Sequence, residues 1–583
     1  MATLQKRWEV PPPPPAEHLA RFPDLPPLVV QLLYNRRIRT REEVEAFLSG
    51  SVAQDNPFRL QGMNAAVTRL RQAIRNAETI AIYGDYDVDG MTATALLVPT
   101  LRALGSARVV PYIPRRLEEG YGLNKPALTK LAEEGAQVVV TVDCGVRSVD
   151  EVRHANRLGL DLIITDHHAL GPDLPPALAV IDARREDDLY PFKHLAGVGL
   201  AFKLAQALLR AEGQVPTSEA ASPPEEDDLL DLVALGTVAD LAPLIGENRA
   251  LVSRGIGKLN EAHRPGIAAM LEEAGLEPGQ VDAEKIGFVL GPRLNAAGRL
   301  DDAIAGYELL TTPLPDKATE LARQLGEQNR ERQRLLDEMV QQAREEVEAQ
   351  GDEPLYVLAS TKYSPGIAGL VASRITEEFY RPTLVIALAD VESRGSARSI
   401  EAFHITRALD QCRELLVQHG GHAAAAGFTV RNDLIDALRE RLSDIAGGQL
   451  SEDDLVPSVK VDMALPIDAA SWANLALIEN LQPFGVGNPR PTFAGYNVQV
   501  RGCRAVGRDG TSLMMKLSDG VAVWDAVAFR QSIRPEQVGE RIDVVYTMQS
   551  DVWNGARRMR LVVEDMRPAE GAALAVDGCW SDY

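Results

Sequence analysis

A chain of 583 residues, 45% hydrophobic and 25% charged, is too long for one hydrophobic core and too apolar for wholesale disorder, so three or four compact domains are expected. The formal net charge of −22 weighs against nucleic-acid binding, which draws on concentrated Lys and Arg, although cations held by carboxylates neutralise phosphate even in an acidic protein. No apolar run spans a bilayer and Met1 to Val10 lacks a secretory core, which points to the cytoplasm, while Cys144, Cys412, Cys503 and Cys579, without CxxC spacing, argue against a cysteine zinc site and a disulfide framework.

Residues 1–48 read as a lead-in. Five consecutive prolines, Pro11 to Pro15, belong to a start without regular structure, and an amphipathic stretch from Leu28 to Leu48 predicts helix. Residues 49–315 form a first α/β domain. From Thr79 the chain carries short apolar runs that each end in Gly or Asp: TIAIYGDYDVDG, AQVVVTVDCG, LDLIITDHH and LAVIDAR. Such runs, separated by helical segments, are the signature of a parallel sheet buried on both faces, whose ligands gather at the carboxyl ends of the strands. Thr217 to Asp228 reads as a surface loop before a helix near Leu229. Residues 316–350 are charged and nearly free of Gly and Pro, and predict one long connecting helix. Residues 351–450 form a second α/β domain with strands LYVLAS and TLVIAL. Residues 457–570 alternate as strands do, with turns at DG and NG, and predict a small β-barrel; 571–583 are a tail.

The chemistry concentrates at the strand ends of the first domain. Asp85, Asp87 and Asp89 alternate directly after the apolar run Ile80 to Tyr83. An extended chain would set them on one side, and a turn would bring them to a point. Hard divalent cations such as Mg²⁺ and Mn²⁺ take oxygen ligands of this kind. A calcium loop would need a closing glutamate and flanking helices, whereas a buried strand precedes this motif. Asp143 follows VVVTV, Asp166-His167-His168 follows LIIT, and Asp240 ends DLVALGTVAD. Each alone would cap a helix or turn. Together they suit a two-metal site, in which the ions activate water and stabilise the leaving oxygen of a phosphodiester. One histidine of the adjacent pair can face a given metal; the other would orient a ligand or contact substrate.

Arg116, Arg293, Arg299 and Arg398 are candidate phosphate contacts, because the guanidinium fork matches phosphate oxygens, and each could equally serve a structural ion pair. The glycines around Arg398 and His422 let the chain approach a phosphate closely. GGHAAAAGF also reads as a helix N-terminus with an Ala-packed face.

The chain resembles the DHH phosphoesterase superfamily and, within it, the bacterial single-strand-specific exonucleases. The ordered motifs that carry the resemblance are YGDYDVDG at 83–90, VDCG at 142–145, DHH at 166–168, LAGVGLAFKLA at 195–205, LGTVADLAPLIGENR at 235–249 and GPRLNAAGRL at 291–300. They continue with GIAGLVASR at 366–374, GSARS at 395–399, GGHAAAAGF at 420–428 and PFGVGNPRPTF at 483–493. The resemblance implies a DHH domain, a DHH-associated (DHHA1) domain that closes over substrate, and an OB-fold barrel. It implies metal binding by Asp87, Asp89, Asp143, His167 and Asp240, with Asp85 a sixth ligand and Asp143 bridging. His168 would support substrate or the metal's surroundings, His422 would lie near the scissile phosphate, and Ser396 would help hold a terminal phosphate. Two features depart from the family. Tyr363-Ser364 replaces an aromatic-His pair before Pro365-Gly366, and Ala397 replaces the third residue of GSGRS.

The activity so implied is hydrolysis of single-stranded DNA from the 5′ end to 5′ mononucleotides, in DNA repair and recombination, with two Mn²⁺ or Mg²⁺ ions. The expected partners are single-stranded DNA, a helicase, single-strand-binding protein and mismatch-repair factors. Alternatives are a phosphodiesterase for oligoribonucleotides or cyclic dinucleotides, and a non-catalytic strand-binding scaffold. In the barrel, Phe493, Trp524, Phe529 and Trp553 could stack bases; for Phe529 the barrel core is expected instead.

Overall fold

The computed structural model describes residues 6–50, 55–115, 118–120, 122–216, 223–300, 303–507, 510–529, 533–553 and 556–569. The chain divides into two compact units: residues 46–337 with 483–489, and residues 1–45 with 338–482 and 490–583. Among the described residues, no helix is long and apolar enough to cross a membrane.

The first unit is built on five parallel strands, β1 (Thr79–Tyr83), β2 (Arg108–Tyr112), β3 (Ala136–Val142), β4 (Asp161–Thr165) and β5 (Ala179–Ile181), in the order β2-β1-β3-β4-β5. The continuous apolar runs arise because both faces are covered. Ile80 and Ile82 enter one core, and Ala81 and Tyr83 enter the other. The first core is closed by helices α1 (Val88–Ala103), α2 (Gly197–Gln214) and α3 (Leu230–Ala239), followed by α4 (Gly246–Glu261) and α5 (Gly291–Leu300). Fully buried Lys203 of α2 pairs with Glu247 of α4, which also accepts from the Tyr190 hydroxyl at 2.7 Å. The strand order reverses between β1 and β3, and open α/β sheets form their ligand crevice at such a reversal, beyond the carboxyl ends.

Helix α6 (Pro315–Gln350) runs for 36 residues. In the second unit, β6 (Tyr356–Ser360), β7 (Thr383–Ala387), β8 (Glu392–Arg398), β9 (Leu416–Gly421) and β10 (Ala425–Arg431) form a sheet ordered β9-β10-β8-β7-β6, with helix α7 (Ala368–Phe379) against it. GGHAAAAGF is therefore not a helix N-terminus. It forms the β9–β10 hairpin, in which the His422 amide donates to the Ala425 carbonyl at 2.8 Å. Short flanking strands override the helical propensity of the alanines because Ala426 and Phe428 bury into the core of the sheet. Ala397 also packs in that core, fully buried, so its methyl group is absorbed there.

The same unit carries a barrel of β11 (Phe493–Val506), β12 (Ser512–Ser518), β13 (Val523–Ala528), β14 (Arg541–Trp553) and β15 (Ala556–Pro568), paired in the order β11-β12-β13-β15-β14 and closed by β14 on β11. Two expectations change here. Phe493 is fully buried and belongs to the core, whereas Phe529 is 52% exposed, with the Arg560 guanidinium 6.0 Å from its ring. Phe529 lies one residue past the end of β13, where strand alternation no longer sets its direction. The side chain of Trp553 lies outside the described residues.

The chain's start also departs from expectation. Arg7–Glu9 pairs in parallel with Ser458–Lys460, the Trp8 indole donates to Asp565 at 2.6 Å, and the Arg567 guanidinium lies 4.2 Å from its ring. A three-residue strand has no periodicity to read. Its partners are supplied hundreds of residues later.

Candidate metal centre

Strand β1 delivers the chain to Gly84, and α1 begins four residues later at Val88. The three aspartates therefore do not remain extended. Asp85 lies in the turn, Asp87 caps α1 by accepting from the Gly90 amide at 3.1 Å, and Asp89 sits in its first turn. The Asp89 carboxylate is held by the N-terminus of α2: the Gly197 and Val198 amides each donate to it at 2.7 Å. That places an anion where a helix dipole favours it.

Asp143 follows β3 in the left-handed region, with φ +63°, and its amide donates to the Thr165 carbonyl at 3.0 Å. An aspartate tolerates this conformation at a cost that is accepted mainly at functional positions. After β4, Asp166 has a different task from its neighbours. It accepts from the amides of His167, His168 and Val146 and from His168 Nδ1 at 2.8 Å. His167 instead points inward. Its Nε2 lies 3.1 Å from Asp143 Oδ1 and 3.7 Å from carboxylate oxygens of Asp89 and Asp240. Asp240 arrives from the other side as the C-cap of α3.

Three sets of ligand atoms converge within 4.8 Å: Asp85, Asp87 and Asp143; Asp89, His167 and Asp240; and Asp143, His167 and His168. All six aspartate and histidine positions expected to bind metal thus meet at one place, with Asp143 common to two sets. Burial, then repulsion from Asp87, raises Asp89 to about 7. Burial, then Asp89 and Asp87, raises Asp240 to about 9. Burial and four neighbouring carboxylates hold Asp143 well above its ordinary value. Burial drives His167 down to about 3, which leaves a neutral imidazole. Its Nε2 is buried with no hydrogen-bond partner among the described residues. For His168 burial again opposes charge, but the Asp166 hydrogen bond and charge outweigh it and the pKa rises.

These features fit divalent cations. Crowded carboxylates at low dielectric repel unless positive charge sits among them, and a neutral buried imidazole lone pair is a ligand without an acceptor's partner. An oxygen-rich set with one or two nitrogens suits Mn²⁺ or Mg²⁺.

A stability prediction follows. The native state holds protons on Asp89 and Asp240 that the unfolded chain has released, so their contribution to stability falls as pH rises from the ordinary carboxylate range through their raised values. Metal-free protein should show a falling Tm from about pH 5 to about pH 9, and Mn²⁺ should restore most of the loss. Differential scanning calorimetry with and without Mn²⁺ checks this, and Asp240→Asn should flatten the metal-free slope.

The remaining expected positions are distributed differently. Arg293 of α5 is engaged by Glu273 at 2.7 Å and donates to the Val289 carbonyl; Glu273 also pairs with Arg330. It serves a structural ion pair there. Arg299 is half-buried on the same helix, and Arg116 lies outside the described residues. In the second unit, Ser396 and Arg398 share one side of β8 beside the first turn of α7. A Cβ added at Gly369 would lie 3.2 Å from an Arg398 nitrogen and 3.5 Å from the Ser396 hydroxyl. His422 is exposed in the hairpin, and the Ser364 carbonyl accepts from the Ile367 and Ala368 amides at the start of α7.

Several supporting groups escaped the sequence reading. Asp166 as the orienter of His168 could have been inferred from its ability to accept from the next two amides. The α2 N-terminus was foreshadowed by the glycines of LAGVGL. Arg184, exposed and exerting its charge on His167 and Asp240, left no local signal.

Residues 79–237 match the DHH family N-terminal domain, 352–448 the DHHA1 domain and 461–565 the RecJ OB domain. A Bacillus subtilis protein, single-stranded-DNA-specific exonuclease RecJ, is 38% identical over 100% of this chain and 74% of its own length. The crystal structure of RecJ in complex with Mn²⁺ from Thermus thermophilus superposes with TM-score 0.82 at 30% identity, over 97% of this chain and 80% of that one. The corresponding Mg²⁺ complex gives TM-score 0.77 at 29% identity, over 97% and 79%.

Proposed function

The chain belongs to the RecJ family of single-stranded-DNA-specific exonucleases, and from that premise we propose that it degrades single-stranded DNA from the 5′ end and releases 5′ mononucleotides. The observation that carries the hydrolytic reading is the convergence of five aspartates and His167 on one point at the strand-order reversal. Asp85, Asp87 and Asp143 would hold one cation, and Asp89, His167 and Asp240 a second. Bound there, Mn²⁺ or Mg²⁺ lowers the pKa of water and offsets charge on the leaving oxygen.

The chain's own residues do the rest. Asp143, common to two ligand sets, keeps both groups in one register. The α2 N-terminus fixes the Asp89 carboxylate, which cannot then swing toward solvent. Asp166 orients His168 and raises its pKa; in its charged form His168 would present the Nε2 proton to a phosphate oxygen or to the departing 3′ oxygen. In the second unit, Ser396 and Arg398 beside the α7 N-terminus form a seat for a terminal phosphate, and His422 is assigned to the substrate strand. A role in DNA repair and recombination in the cytoplasm, beside a helicase, single-strand-binding protein and mismatch-repair factors, belongs to the same reading.

The test is a product time course on DNA labelled at either end, single- and double-stranded, with each metal. Early labelled mononucleotide from the 5′ label alone supports the proposal. Early release from the 3′ label, or equal attack on duplex, refutes it.

The barrel supplies a further prediction. Phe529 and Arg560 lie together at its surface and offer a stacking platform for a base. Phe529→Ala should raise KM for long strands by about tenfold, from stacking worth roughly 1–3 kcal/mol per base, and leave di- and trinucleotides unaffected. Steady-state kinetics across substrate lengths checks this. An equal loss on dinucleotides would favour a short-substrate phosphodiesterase.

A further inference from the structure

The loop that follows Asp240 is held by a distant piece of chain. Leu241 has φ +60°, so the ligand is joined directly to a strained, non-glycine left-handed residue, itself 68% exposed. Such a conformation persists only where its surroundings over-determine it. Helix α3 supplies part of that restraint through the Leu241 and Ala242 amides, which donate to Val238 and Thr237 carbonyls. Pro483–Pro489, which belongs to the first unit although the chain on either side of it does not, packs on the residues that follow Leu241.

This heptapeptide forms a tight turn, with reciprocal backbone hydrogen bonds between Gly485 and Asn488 at 2.9 and 3.1 Å. Fully buried Asn488 closes it by donating to the Pro483 carbonyl at 2.9 Å. The turn then docks on the Asp240 loop. The Leu244 amide donates to the Val486 carbonyl at 2.7 Å, and Arg249, 4% exposed, donates to the Pro483 carbonyl at 3.2 Å. The approach is close at both glycines. A Cβ at Gly485 would lie 2.7 Å from Leu244, and one at Gly487, where φ is +77°, would lie 3.1 Å from Ile245. On its other flank the same loop is tied to the Asp89 support, since Asn248 donates to both the Pro243 and His194 carbonyls.

We propose that Pro483–Pro489 is a strap that positions Asp240 in the metal centre, with Gly485 and Asn488 as its positioning residues. The inference rests on Asp240 being a metal ligand. Without the strap the 241–245 loop keeps its helix-end bonds and the Asn248 bond to Pro243 but loses the Val486 carbonyl that holds Leu244, and the Asp240 carboxylate loses a fixed distance to His167 and Asp89. Groups that orient a ligand without touching the metal contribute roughly 10- to 100-fold to metal affinity.

Gly485→Ala in the full-length protein tests this, with Mn²⁺ affinity measured on metal-free protein by isothermal titration calorimetry and by the free-Mn²⁺ paramagnetic resonance signal. The expected result is roughly 10-fold weaker Mn²⁺ binding, a lower kcat and an unchanged KM for single strands. Leu244→Ala added to Gly485→Ala should recover most of the affinity by vacating the clash. If Gly485→Ala is insoluble, Asn488→Ala takes its place with the same readouts. Wild-type Mn²⁺ affinity in the folded variant overturns the strap, provided Asp240→Asn weakens binding. If Asp240→Asn also binds Mn²⁺ normally, the ligand assignment is what fails.

Discussion

Asp143→Asn should lose at least about 10³-fold in kcat, the scale seen when a group stabilising the transition state is removed, while the metal-free protein becomes more stable. Both effects have one cause. Asp143 is buried against Asp85, Asp87, Asp89 and Asp240, and its pKa is held well above the ordinary value by burial and by those charges. At neutral pH its ionised form is therefore a liability to the metal-free fold and an asset only when cations are present. The amide keeps the shape and removes the charge. The side chain belongs to two of the three ligand sets, so both cations should bind more weakly. Chelation of the wild type should reproduce the loss of activity, and Mn²⁺ should rescue the wild type but not the variant. Steady-state rates paired with thermal unfolding of the metal-free proteins check the prediction. A variant with near-wild-type activity would remove Asp143 from the mechanism.

Gly197→Ala should cost about 10²-fold in kcat without altering any ligand, the size expected when a reacting group is misplaced by about 1 Å. A methyl group at this first residue of α2 would lie 2.6 Å from both Cβ and Oδ1 of Asp143. Asp143 cannot retreat easily, since its backbone is fixed in the left-handed region by the bond to Thr165. The Gly197 amide also holds Asp89 at 2.7 Å, so any outward shift of the helix end disturbs a second ligand. Activity should fall while binding of single strands in the absence of metal stays near wild type. Retention of full kcat would mean that α2 can move freely, contrary to its burial between α1 and α3.

Much of this centre was legible in the chain. The apolar runs from Ile80 to Tyr83, Val138 to Val142 and Leu162 to Thr165 read as buried parallel strands, and the carboxylates and histidines at their ends gather because such strands end on one side of a sheet. Asp240 was readable as a terminal residue of an apolar stretch, although that stretch is the helix α3. Residues whose direction depends on an element's edge were harder. Phe529 falls just past a strand, the alanines after His422 favour helix in isolation, and Arg293 could not reveal that Glu273 claims it.

The division between the two kinds of knowledge has a physical basis. Ligand types, their placement at strand ends and the resulting preference for hard divalent cations are local properties, written in side-chain chemistry and in the period of the apolar pattern, and the sequence determined them alone. Which carboxylate is shared, which aspartate turns away to hold His168, which helix end grips Asp89 and which remote turn braces the loop after Asp240 were decided only by tertiary structure. Those partners lie from 20 to more than 200 residues apart in the chain, at contacts such as Val146 with Asp166, Gly197 with Asp89 and Leu244 with Val486. No local periodicity records such contacts. They exist only once the packed core has brought the segments together.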